Sequence, residues 1–196
     1  ARAAETASGN PMCLLIRAPL DRLYGITTGE DWMVIKPMIR NNICMNAHPA
    51  GLAVETQKQI DYVKNQEKID GPARVLVIGG SAGYGLASRI VAAYGCGAST
   101  INVAFERPAN GKRTATVGWY NTEYFEEQAR KEGLDVATVY GDAFSDEVKD
   151  RVMELVREKW GGVDLVVYSL ASPVRTDPRS GETYRSVLKP VGEPFT

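Results

Sequence analysis

Val75, Leu76, Val77 and Ile78, followed at once by Gly79, Gly80, Ser81, Ala82, Gly83, Tyr84 and Gly85, constrain this chain more than any other stretch. The β-branched run marks a strand buried on both faces. The glycine cluster turns the chain, and Leu86, Ile90, Ala93 and Tyr94 then recur at helical spacing up to Gly95. Strand, glycine turn and helix in that order open a βαβ unit. Gly79, Gly83 and Gly85 supply what a phosphate-holding turn needs: a backbone free to take positive φ, no Cβ in the way of a pyrophosphate, and close approach of helix to sheet. The following helix points its unpaired N–H groups and positive dipole end at the turn. A glycine pattern alone is also met in βα turns that hold no ligand, so the rest of the chain has to decide.

The remaining segments repeat the alternation. After Gly95 the stretch 100–106 reads as a second strand, and the polar segment 107–118 as a surface loop punctuated by Pro108 and Gly111. Asn121 is expected to cap a helix that carries Phe125 and Ala129 and ends at Gly133. A third strand covers 135–140. Ser145 then caps a helix with Asp146 and Glu147 in its first turn and Val148, Val152, Leu155 and Val156 on its apolar face, ending at Gly161. A fourth strand covers 163–168, and 169–173 leaves it as a loop. Strands alternating with helices predict an α/β fold with a doubly wound parallel sheet, with ligands at the carboxyl ends of the strands.

Upstream, 34–40 looks extended, with Pro37 confining it to an edge. Residues 47–49 turn the chain, and 50–66 carries helix formers with Val54, Ile60 and Val63 as packing positions. Residues 1–32 have no such grammar and are expected to be an irregular extension, leaving 33–196 as the folded domain. The stretch 189–196 is turn-rich and closes no element, so the chain reads as the amino-terminal part of a longer protein.

Composition sets the outer limits. The chain has 196 residues, 44% of them hydrophobic, enough for one globular core. Its formal net charge is −1, which supplies no surplus of Lys and Arg for nucleic acid or an anionic membrane. No apolar run approaches the roughly 20 residues of a spanning helix. Cys13, Cys44 and Cys96 have neither metal nor disulfide spacing, which fits a reducing cytoplasm. His48 is the only histidine, so a Ser-His-Asp triad or a multi-histidine metal site has little to be built from.

Four segments fall together at strand ends: 79–85, Phe105 with Glu106, Asp142 with Ala143, and Leu170 with Ala171. Glu106 follows Gly85 by about 20 residues, the offset at which an acidic side chain meets the adenosine ribose hydroxyls. A carboxylate there repels a 2′-phosphate and so predicts NADH over NADPH; the plainer reading pairs Glu106 with Arg107 or Arg113 on the surface. Asp142 is either an acceptor for the adenine amino group, with Ala143 offering its backbone, or a turn residue. Leu170 and Ala171 are placed over the ribose on the nicotinamide side. Tyr140 and Lys149 match a Tyr-x8-Lys spacing, but Tyr140 closes the third strand beside the adenine region, so the match reads as coincidence. His48 beside Cys44 lacks a third orienting group, and a structural or substrate-side histidine is the better reading. An S-adenosylmethionine methyltransferase and a non-catalytic nucleotide-sensing module stay open as rivals.

The segments 34–44, 47–49, 75–79 and 83–90, the run Gly118-Trp119-Tyr120-Asn121, and the segments 141–147, 163–173 and 188–190 together resemble the trans-2-enoyl-CoA reductase family, including its enoyl-acyl-carrier-protein reductases of fatty-acid synthesis. The resemblance runs from about Met33 to Thr196. It implies an NADH-dependent oxidoreductase that reduces a trans-2-enoyl thioester, carried on coenzyme A or an acyl-carrier protein, in the cytoplasm and as a monomer. It also carries the family's NADH contacts onto Gly79, Gly80, Ser81, Ala82, Gly83, Tyr84, Phe105, Glu106, Asp142, Ala143, Leu170 and Ala171. The family's catalytic Tyr-x8-Lys pair is implied to lie beyond Thr196. These 196 residues are therefore expected to hold the cofactor half without turnover, with a sheet edge left uncovered.

Overall fold

A computed structural model describes residues 38–40, 43–110, 113–187 and 192. The extension at 1–32, the first half of the extended stretch at 34–40 and most of 188–196 lie outside the described residues. Two short strands, β1 (Ile39–Arg40) and β2 (Ile43–Cys44), pair antiparallel ahead of helix α1 (Pro49–Lys64). The nucleotide-type unit follows as β3 (Arg74–Ile78), α2 (Gly83–Ile90), one π-helical turn at Val91–Gly95, β4 (Ser99–Ala104), α3 (Val117–Lys131), β5 (Val136–Tyr140), α4 (Asp146–Trp160) and β6 (Leu165–Tyr168). An antiparallel hairpin of β7 (Val174–Thr176) and β8 (Thr183–Arg185) comes after it.

The central sheet has the order β5-β4-β3-β6, and every pairing is parallel. The expected α/β doubly wound sheet is therefore the fold. Alternation along β3 explains why its whole run is apolar. Val75 and Val77 pack with Ala92 and Ala98 on one face, while Leu76 joins Ile101, Val103 and Val139 against Val148, Val152 and Val156 of α4 on the other. A second cluster holds α1, α2 and α3 together through Ile60, Leu86, Ile90, Tyr94, Phe125 and Ala129.

Local chemistry sets most helix ends. Ser145 Oγ accepts from Val148 N at 3.3 Å to start α4, and Gly161 ends it at φ 71°. Some boundaries differ from expectation: α3 begins at Val117 after Thr116, not at Asn121, and β6 begins at Leu165, not at 163. Asn121 is buried inside the helix because its Nδ2 donates to Ser81 O at 3.1 Å, a tertiary contact that outbids a local cap. The strand expected over 100–106 likewise stops at Ala104, leaving Phe105 and Glu106 beyond the ladder.

Four parallel strands end at one level, since Ile78 is in register with both Val103 and Tyr168, and Ala104 with Tyr140. The ladder runs one step further at each end: Gly79 N donates to Val103 O at 2.8 Å, Gly141 N to Ala104 O at 3.0 Å and Ser169 N to Ile78 O at 2.8 Å. The strand order reverses between β3 and its two neighbours, which puts a crevice over Gly79.

Candidate functional site

At that crevice the glycine loop is held by contacts that leave no room for larger residues. Gly79 sits at φ +89°, and a Cβ there would come within 2.2 Å of Ser169 O. A Cβ on Gly85 would come within 2.0 Å of Gly79 O, so the first turn of α2 rests on the end of β3 itself. Gly80 N donates to Oδ1 of the buried Asn102 at 2.8 Å. Beyond these fixed points the loop opens to solvent. Ala82 caps α2 without a side-chain hydrogen bond, a Cβ on Gly83 would meet nothing within 4 Å, and Tyr84 is 90% exposed. The first-turn amides of α2 thus face outward with no side chain competing for them, the arrangement that accepts a phosphate.

Glu106 points back to this loop. Its Oε1 accepts from Ser81 Oγ at 2.7 Å, and neither Arg107 nor Arg113 pairs with it among the described residues. Phe105 beside it is 78% exposed, so two aromatic faces, Phe105 and Tyr84, stand uncovered at the strand ends. Leu170 approaches Gly79, with Cδ2 at 3.1 Å from where its Cβ would be, and Ala171 is exposed next to it. Asp142 serves the turn after β5: its Oδ1 accepts from Phe144 N at 2.9 Å and its carbonyl from Ser145 N. Ala143 is half-buried against the α4 cluster. The structure therefore brings Gly79, Gly80, Ser81, Glu106 and Leu170 into one contact set. Ala82, Gly83, Tyr84, Phe105 and Ala171 lie at its open rim, and Asp142 with Ala143 at the end of the neighbouring β5.

Three side chains here were not legible from spacing. Asn102 and Asn121 anchor the loop from β4 and α3, and Arg89 of α2 is fully buried behind it. Arg89 pairs with Glu126 Oε1 at 2.8 Å, donates to Thr100, Thr138 and the Ala137 carbonyl, and lies 4.5 Å from the Phe125 ring centre. Burial alone pushes the Glu126 carboxyl up, but Arg89, Thr138 and Arg130 outweigh it and hold it below the usual carboxylate range. The one sequence signal for this pair is an arginine placed between Leu86 and Ile90 on an apolar helix face.

The other candidates have structural work. Tyr140 stacks on Trp119 with ring centres 4.6 Å apart and donates to Glu123 at 2.9 Å; burial, then that carboxylate, push its phenol up. Lys149 pairs with Asp146 at 2.8 Å on the surface. The Tyr-x8-Lys spacing is accidental. His48 caps α1, its Nδ1 accepting from Gly51 N at 2.8 Å, while Cys44 reaches only toward Asn46 O. Among the described residues no helix is long and apolar enough to cross a membrane.

Residues 34–111 match the family described as the NAD(P)H-binding domain of trans-2-enoyl-CoA reductase, and 113–196 its catalytic region. An NADH-dependent enoyl-acyl-carrier-protein reductase of Saccharophagus degradans is 55% identical over 165 residues, covering 84% of this chain and 42% of that protein. An NADH-dependent trans-2-enoyl-CoA reductase of Ruminiclostridium cellulolyticum is 51% identical over 164 residues, with 84% and 42% covered. Among solved structures, the trans-2-enoyl-CoA reductase of Clostridium acetobutulicum in complex with NADH superposes with a TM-score of 0.77 at 42% identity, covering 80% of this chain and 40% of that one. That of Treponema denticola with NAD gives 0.75 at 52% identity, covering 82% and 42%. The chain spans about two fifths of the length of the relatives it matches.

Proposed function

This chain belongs to the trans-2-enoyl-CoA reductase family, and on that premise we propose that it is the NADH-binding part of an enzyme reducing trans-2-enoyl thioesters to saturated acyl thioesters. The acyl carrier is coenzyme A or an acyl-carrier protein, as in the relatives' names. The cytoplasm is the proposed location and the monomer the proposed state.

The observation that carries the reading is the convergence at the crevice of an uncapped α2 N-terminus, a glycine loop and the Glu106 carboxylate. In this reading the pyrophosphate lies on the amides of residues 81–84, with Gly79 and Gly80 giving the loop its shape. Glu106 accepts from the adenosine ribose hydroxyls. Asp142 and Ala143 line the adenine end, and Leu170 and Ala171 the nicotinamide side. NADH supplies the hydride when bound. What this chain contributes is binding and orientation: its rigid contacts hold the loop before the cofactor arrives, so little is lost in ordering it.

In this reading Tyr140, bonded to Glu123, and Lys149, paired with Asp146, have structural roles, and the catalytic tyrosine–lysine pair belongs to the part of the enzyme beyond these residues. These 196 residues by themselves are expected to bind NADH without turnover. Fluorescence titration with NADH, followed by enoyl-CoA-dependent NADH oxidation, tests both statements. Absence of NADH binding by the folded protein sinks the cofactor assignment, and a robust oxidation rate from the 196 residues alone sinks the assignment of roles.

A further inference from the structure

We propose that Gly118, in the first turn of α3, sets the choice between NADH and NADPH by holding the Glu106 carboxylate in place. The inference rests on the reading of Glu106 as the acid that meets the adenosine ribose, and it adds a residue that acts on cofactor choice without touching the cofactor.

Gly118 is buried in regular helix, where glycine is a poor helix former and has no turn to make. A Cβ on it would lie 2.0 Å from Glu106 Oε1, 2.4 Å from the Glu106 carboxyl carbon and 2.6 Å from Ser81 Oγ. Carboxylate and hydroxyl thus occupy the volume that the missing side chain leaves. Their own hydrogen bond, 2.7 Å from Ser81 Oγ to Glu106 Oε1, lies in that volume.

The same helical turn fixes the other partner. Asn121, one turn further along α3, donates to Ser81 O at 3.1 Å, and its Oδ1 accepts from Thr56 Oγ1 of α1 at 3.4 Å. Ser81 is therefore held through both backbone and side chain, and Glu106 through Ser81. One carboxylate oxygen is committed to this clasp. Oε2 makes no hydrogen bond among the described residues and is the oxygen left to accept from a ribose hydroxyl.

A fixed carboxylate discriminates more sharply than a mobile one. A glutamate free to rotate can swing away from a 2′-phosphate and relieve the repulsion, whereas one wedged against Gly118 and tied to Ser81 cannot. Gly118 is on this account a positioning residue that works through Glu106.

The test is the ratio of NADPH to NADH dissociation constants, measured by fluorescence titration on the protein and its Gly118→Ala, Glu106→Ala and doubly substituted variants. Displacing the carboxylate weakens NADH and relieves NADPH, so Gly118→Ala is expected to lower the preference for NADH by about tenfold or more. In the Glu106→Ala background no carboxylate is left to displace, and the Ser81 hydroxyl, released from its hydrogen bond, can rotate aside, so the same substitution should leave the ratio unchanged. Equal weakening of both dinucleotides by Gly118→Ala, or an equal fall of the ratio in both backgrounds, overturns the proposal. If Gly118→Ala alone does not fold, the double variant decides: folding with the Glu106→Ala ratio supports the clasp, and failure to fold refutes it. A parent protein that binds NADH without preferring it over NADPH refutes the role of Glu106 itself, and the inference falls with it.

Discussion

Strands β3 and β6 lie side by side in parallel and carry nearly the same apolar run, yet they live in different surroundings. Val75, Leu76 and Val77 are at most 8% exposed, while on β6 Leu165, opposite Val75, is 43% exposed, Val166, opposite Leu76, 49%, and Tyr168, opposite Ile78, 64%. Strand β3 is covered by Ala92 of the π turn after α2 on one face and by α4 on the other, with a strand on each side; β6, like β5, is an edge strand among the described residues. An apolar run therefore identifies a strand, but its burial is decided by what the chain sends over it. The half that holds the glycine loop is the packed half.

Four measurements sharpen or break this contrast, beginning with the largest effect. Arg89→Met removes the cation beneath the loop and leaves the buried Glu126 carboxylate without its main partner. It should cost about 3–5 kcal/mol in chemical denaturation; a loss below about 1 kcal/mol would mean that the pair is not buried. Next comes Leu76→Ala on the packed strand, expected to cost about 2–4 kcal/mol.

Acid should bring on part of the Arg89 effect. The Glu126 carboxyl sits below its ordinary value of 4.5 in the folded protein, so as the pH falls the unfolded chain takes up the proton first. The stability it contributes is complete above that ordinary value and is lost as the pH drops toward the lower folded value. Glu126→Gln should flatten this portion of a stability-versus-pH curve, and an unchanged curve would deny the linkage. The smallest effect belongs to the edge: Val166→Thr should shift stability by no more than about 0.5 kcal/mol and raise solubility. A loss equal to that of Leu76→Ala would show that β6 is covered after all.

Much of the fold could be read from residues whose neighbours in sequence are also their neighbours in space. The glycine loop, the Ser145 cap and the αL end at Gly161 are of this kind, and so is the run of Val148, Val152 and Val156. What could not be read depends on partners far along the chain. Asn121 looks like a cap and is instead spent on Ser81, 40 residues earlier. Arg89 looks misplaced until Glu126 and Thr138 arrive from α3 and β5. At the candidate site, the offset from Gly85 singles out Glu106, which the structure turns back to the glycine loop, whereas nothing singles out Gly118, because a missing side chain gives no periodic signal. The π turn after α2 and the β7–β8 hairpin likewise went unread, since neither carries a pattern that separates it from ordinary helix or loop.

Trp119 follows Gly118 directly and stacks on Tyr140 with the two rings inclined by 26°, which sets an indole lamp beside the crevice of the glycine loop. Reduced nicotinamide absorbs where indole emits, so arrival of the dinucleotide should dim that lamp by energy transfer while oxidised or adenosine-only ligands leave it bright. Occupancy can thus be followed in real time without attaching any foreign dye.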